Sequence, residues 1–253
     1  MEPRPLPVIR PTSGAFAGSP GTPLYLTPQT DIFIAIQDIN GWIVPVLSLG
    51  FLILSLGIHE ASHAFAAWRC GDSTAKDMGR MTLDPIPHID PIMTILVPAV
   101  MFMTTGMMFG GAKPVPVSYH RLRNPLRDMM IVALAGPVSN FLLAILFLAV
   151  WKVLVFQFDF GVKEIAVQVM AASVRWNLLL AAFNMIPVPP LDGSRVMTWL
   201  LPPSMREGYN SLERFGILLV FGLLWLPPVK SLLWGAMDAM LTFAEFLTFG
   251  QWS

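Results

Sequence analysis

His59, Glu60 and His63 stand in the run His59-Glu60-Ala61-Ser62-His63, a H-E-x-x-H spacing that joins two metal ligands to a base. Residues four apart on a helix share a face, so both imidazoles can reach one Zn²⁺. Glu60, next to His59, is then available as general base for a water that the metal activates. The run lies inside a hydrophobic stretch, where two imidazoles and a carboxylate are costly to bury without partners, which marks them as functional groups. A catalytic zinc takes three protein ligands and keeps one position open. The third-ligand candidates are His88, His120 and the acidic residues. Among these Asp192 stands out. It closes a hydrophobic segment where Pro187, Pro189 and Pro190 break the helix, which frees backbone and can turn a carboxylate inward. An ordinary turn aspartate before Gly193 is the other reading.

The composition around these residues is that of an integral membrane protein. Of 253 residues, 55% are hydrophobic and 13% charged, and the mean hydropathy is +0.63, whereas a soluble domain carries about a quarter charged residues. The formal net charge is zero, so nothing speaks for nucleic acid as a partner. Cys70 is the only cysteine, which excludes an internal disulfide and a cysteine zinc cluster. Any metal must be held by nitrogen and oxygen.

The elements that must position the site divide the chain unevenly. Residues 1–30 hold seven of the 23 prolines and read as a disordered or loosely attached tail, and residues 31–41 as an interfacial segment. Residues 42–201 form the membrane core, and 202–253 supply C-terminal membrane segments. The first span runs from Trp42 to Ala67 and carries the H-E-x-x-H run near its far end. At 1.5 Å per residue this puts His59 about 25 Å along a hydrocarbon core about 30 Å thick. Further apolar stretches are Ile92 to Phe109, interrupted by Pro98 and Thr104-Thr105-Gly106; Met129 to Val155; Trp176 to Leu191; Phe215 to Trp225; and Ser231 to Phe249, the last spanning or lying flat. Arg69, Lys76 and Arg80 follow the first span, and Lys113, Arg121, Arg123 and Arg127 precede the third stretch. The positive-inside rule puts both connections in the cytoplasm, which a re-entrant hairpin in Ile92 to Phe109 would reconcile. The expected fold is an all-α polytopic membrane protein, with four to six hydrophobic segments around an intramembrane zinc site and a short re-entrant or β-like loop.

Three ordered motifs, HEASH at 59–63, GPVSN at 136–140 and FNMIPVPPLDGSRV at 183–196, each lie on a hydrophobic segment. Together they make the chain resemble the site-2 protease family of intramembrane zinc metalloproteases over residues 42–201. The stretches RMTLDPIPHIDPI at 80–92 and FGGAKPVPV at 109–117 look like the bacterial branch without PDZ or CBS domains. The resemblance implies one Zn²⁺ per chain on His59, His63 and Asp192, with Glu60 as base. It also implies that Asn140, and with it Asn184, helps hold the substrate strand. His88 is expected to be a loop or gate residue and His120 a solvated one, while Gly136-Pro137 reads either as a family motif or as a helix start. The chain departs from the branch pattern at Gly111, where Trp is usual, and at Met93 and Ser194, where Gly is usual.

The implied activity is hydrolysis of peptide bonds in or near transmembrane helices of membrane-protein substrates, in a bacterial cell membrane with the site open to the cytoplasm. A substrate helix hides its carbonyls and must unwind, and the edge Phe109-Gly110-Gly111-Ala112 could pair with it as an added strand, with Gly110 and Gly111 as binding residues. The alternative is an inactive zinc-binding membrane scaffold or chaperone, against which the retained Glu60 argues. The sequence leaves substrate identity and oligomeric state open.

Overall fold

The structure, a computed structural model, describes residues 43–97, 100, 103, 111–161, 163–224 and 226–248. The N-terminal tail, the interfacial segment, Trp42, Pro98, Thr104 to Gly106 and Phe109-Gly110 lie outside the described residues. Among the described residues the architecture is all-helical and without strands. Three helices are long and apolar enough to cross a membrane: α1 (Ile43–Arg69), α2 (Pro125–Phe156) and α3 (Ile165–Asn184). Beyond them come α4 (Asp192–Leu200), α5 (Pro203–Asn210), α6 (Gly216–Leu224) and α7 (Pro227–Leu247).

The long helices are apolar on more than the face they bury. Val138, Leu142 and Leu146 of α2 are exposed while Ala144, Leu148 and Trp151 of the same helix sit in the core. A helix apolar all round suits a lipid solvent. α2 packs against both α1 and α3. α7 adds Leu233, Met237, Leu241 and Ala244 to the same core, a spacing of three to four residues that keeps one face inward. The C-terminal end of α7 is tied to that of α2 by Lys152, whose Nζ donates to the Thr248 carbonyl at 3.0 Å. α7 therefore lies against α2 and α3. α6 has nine residues, about 14 Å of helix, too short to cross the core by itself.

Two boundaries differ from the sequence expectation. Gly136-Pro137 lies inside α2, eleven residues past its first-turn Pro125, so it does not start a helix. α3 begins at Ile165 and stops at Asn184, where Trp176 to Leu191 was expected; Gln168 and Arg175 lower the hydropathy of its first half, and the proline run from Pro187 prevents its continuation.

The stretch after α1 settles the connection between the two basic loops. The N–H of Gly111 donates to the Met93 carbonyl at 2.9 Å, Thr94 Oγ1 donates to the Gly111 carbonyl at 2.7 Å, and the N–H of Lys113 donates to the His88 carbonyl at 2.8 Å. The chain thus returns at Gly111 to where it left at Met93, whereas a single crossing would separate those points by about 30 Å. The basic connections also touch one another. Asp72 accepts from the N–H of Ser118 at 2.6 Å, and the N–H of Arg123 donates to the Cys70 carbonyl at 3.1 Å. Both lie at one end of the bundle, as the re-entrant reading requires.

Candidate metal centre

The ligand set is assembled from α1 and the first turn of α4. On α1, His59 and His63 occupy adjacent turns of one face, with ring centroids 4.6 Å apart and their Nε2 atoms 3.0 Å apart. Asp192, first residue of α4, brings its Oδ2 to 3.3 Å from His59 Nε2 and 3.4 Å from His63 Nε2. The kinked connection that delivers it runs from Asn184 through Pro187 and a cis Pro189-Pro190 bond. Its close packing needs glycine at 193, where a Cβ would run into the Met185 carbonyl oxygen. Ser194, the position where glycine is usual, is buried and its hydroxyl has no partner among the described residues.

The donors fit a cation. His63 Nδ1 faces the Val132 carbonyl at 2.7 Å, and a carbonyl can only accept, so this nitrogen carries a proton and the neutral imidazole presents its lone pair at Nε2. His59 Nδ1 lies 2.5 Å from Asn140 Oδ1, which imposes the same tautomer. Asp192 Oδ2 is buried without a hydrogen-bond donor. The three side-chain donor atoms, all within 4.8 Å of one another, thus converge on one point, an arrangement that suits a cation.

Glu60 is buried on the same helix face, and its Oε2 accepts from the N–H of Val115 at 2.8 Å. That backbone belongs to the extended stretch after Gly111, which Arg80 steadies by donating to the Lys113 carbonyl at 2.8 Å. Beside the ligands opens a cavity of about 360 Å³, walled by Pro114, Val115, Val117, Met129, Ala133, Asn184 and Arg195 among others. It extends toward the end of the bundle where the basic connections meet.

The expected site residues therefore separate into groups. His59, Glu60, His63 and Asp192 come together, and Asn184 is on the cavity wall with its Nδ2 donating to the Leu180 carbonyl at 3.0 Å. Asn140 is fully buried behind His59 and away from that wall. Gly111 has its N–H engaged with Met93, and Gly110 lies outside the described residues. His88 is buried with its Nε2 on the Thr82 carbonyl at 3.1 Å and takes no part in the ligand set, and His120 is exposed. Sequence reasoning missed the Val115 N–H and the Val132 carbonyl, which are backbone groups and leave no trace in side-chain pattern. It also missed Arg195, legible in principle as the residue one helical turn beyond Asp192.

Gly136 has a spatial reason to be glycine. A Cβ there would lie 2.5 Å from both His59 Cε1 and His63 Nε2, closer than such atoms approach. Overpacking of this kind costs about 1–3 kcal/mol. Gly136→Ala is therefore expected to weaken metal affinity on the order of 10- to 100-fold, read by competition with a chelator. An alanine variant with the parent affinity would show that the imidazoles have another place to go.

The same chemistry emerges from comparison with other proteins. The chain is 37% identical over 195 residues to YwhC of Bacillus subtilis, covering 74% of this chain and 84% of that protein. It is 29% identical over 209 residues to Rip2 of Mycolicibacterium smegmatis, covering 81% and 73%, and 28% identical over 222 residues to Rip2 of Mycobacterium tuberculosis, covering 88% and 78%. All three carry names that assign them as candidate zinc metalloproteases. No family model and no solved structure matches. With a relative of this identity matched over most of both chains, and with the two histidines and the glutamate on an apolar helix and the aspartate brought beside them, the chain belongs to the site-2 protease family.

Proposed function

We propose that the protein is an intramembrane zinc metalloprotease that hydrolyses peptide bonds in or near transmembrane helices of membrane-protein substrates. The observation that carries the reading is the convergence of His59 Nε2, His63 Nε2 and Asp192 Oδ2 beside Glu60, inside an apolar helix. His59 is 16 residues from the start of α1 at Ile43, about 24 Å at 1.5 Å per residue, which is within the hydrocarbon of a core about 30 Å thick. Those three residues would hold one zinc ion, which when bound would supply Lewis-acid chemistry toward water and the scissile carbonyl. Glu60 acts as general base. Its Oε2 accepts from the Val115 N–H, which orients the carboxylate to take the proton from water and return it to the leaving amine.

Asn140 serves the ligands by accepting from His59 and does not reach the substrate. Asn184 on the cavity wall and Gly111 at the start of the extended stretch are assigned to the unwound substrate strand, together with Gly110, the preceding residue in sequence. Water enters along the cavity from the end with the basic connections, which the charge rule makes cytoplasmic. Purified protein in lipid is expected to hold one zinc per chain and to cleave a reconstituted single-span substrate within or near its apolar segment. Zinc uptake without cleavage of any membrane-helix substrate would favour the scaffold reading; cleavage confined to soluble peptides would remove the intramembrane claim.

Orientation has its own test. In a Cys70→Ser background, cysteines replacing Lys76 and Ser118 are expected to label together from the cytoplasmic side with an impermeant thiol reagent. Labelling of both from the outside would invert the proposed topology.

A further inference from the structure

Behind His59 lies a chain of buried amides that the H-E-x-x-H and LDG motifs do not include. Asn140 and Asn177, one from α2 and one from α3, are both essentially inaccessible, as are Ser55 and Ser173. Asn140 Nδ2 donates to Asn177 Oδ1 at 3.0 Å. Asn177 Nδ2 donates to the Ser173 carbonyl at 2.9 Å and to Ser55 Oγ at 2.9 Å. Ser55 in turn donates its own hydroxyl proton to the Phe51 carbonyl at 2.8 Å.

The direction of every bond in this chain follows from its two ends. An amide can be turned either way round in principle, since its oxygen and nitrogen have the same shape. The Ser173 carbonyl can only accept, and Ser55, having given its proton to Phe51, also accepts from Asn177. Asn177 must therefore present its nitrogen to them and its oxygen to Asn140. Asn140 must then present its nitrogen to Asn177 and its oxygen to His59. An oxygen at His59 Nδ1 requires N–H there and leaves Nε2 bare, the tautomer that can ligate a metal. Had Asn140 been turned over, its amide would have donated to Nδ1 and placed the imidazole proton on Nε2, between the ligands.

The geometry points to Asn177 as a positioning residue that sets the ligating tautomer of His59 through Asn140, using backbone carbonyls of α1 and α3 as its references. α3 touches neither His59 nor the metal position through this residue. Its contribution is to fix which way round a neighbouring amide sits. The inference rests on the metal reading above, and one of its readouts is independent of metal.

Two measurements on the full chain in lipid test it: zinc affinity by chelator competition, and ring-nitrogen NMR shifts of His59 in metal-free protein. Asn177→Leu, which keeps the volume and removes the polarity, is expected to weaken zinc binding by roughly 10- to 100-fold, the usual cost of losing an outer partner of a ligand. It should also move His59 toward the Nε2–H tautomer. Asn177→Ala, which leaves space instead of filling it, should shift both readouts in the same direction. The decisive comparison adds Asn140→Asp, a carboxylate that accepts from Nδ1 whichever way it turns. Asn140→Asp with Asn177→Leu should bind zinc at least as tightly as Asn140→Asp alone, in which the carboxylate faces the Asn177 oxygen. A tautomer and an affinity unchanged in both Asn177 variants would overturn the relay, and so would a double variant as weak as Asn177→Leu, which would make the loss one of packing. A parent protein that takes up no zinc would instead overturn the metal reading, leaving the tautomer measurement to decide the relay.

Discussion

Glu60→Gln is expected to lower cleavage of a membrane-helix substrate by about 10²- to 10⁴-fold, the range that a positioned general base contributes, while zinc content stays at the parent level. Glutamine has nearly the shape of glutamate, and its amide oxygen can still accept from the Val115 N–H as Glu60 Oε2 does. The ligands His59, His63 and Asp192 are untouched. Only the capacity to take a proton is lost, so a fall in turnover without a fall in metal isolates that role. Turnover at the parent rate would demote Glu60 to holding the extended stretch in place.

Asp192→Ala is expected to lower zinc affinity by more than the roughly 10- to 100-fold that loss of an outer partner costs, and to abolish cleavage with it. The carboxylate lies 3.3 Å from one Nε2 and 3.4 Å from the other, and removing it leaves two bare imidazole nitrogens 3.0 Å apart with no anionic partner. His88→Ala is the control. Its imidazole is committed to the Thr82 carbonyl, so the zinc content of that variant should match the parent, with activity reduced at most. Metal loss that followed His88 and spared Asp192 would show that the third ligand had been assigned to the wrong residue. The same measurement distinguishes a protease from an inert scaffold only in combination with Glu60→Gln, because a scaffold would tolerate loss of the base and not loss of the ligand.

Much of the site was legible in the chain because its chemistry is local or tied to local breaks. The four-residue spacing of His59 and His63 dictates a shared helix face in any helical context. Glu60 comes with them, and the proline run before Asp192 marks where a helix must end and an acidic side chain can be redirected. The apolar length of α1, α2 and α3 and the low charge content likewise require a membrane solvent without reference to packing. Other features needed the tertiary structure because they depend on which helix passes which. Gly136-Pro137 reads in sequence as a possible helix start; only the approach of α2 to α1 shows that glycine there makes room for two imidazoles. Asn140 looks like a polar group facing a substrate until α3 supplies Asn177 on its other side. The return of the chain from Met93 to Gly111 rests on backbone hydrogen bonds, which carry no side-chain signature. Sequence by itself determined the reacting groups and their solvent, since both follow from residue type and spacing. The tertiary structure decided the support of those groups, because a ligand's tautomer and the room around it are set by neighbours remote in the chain.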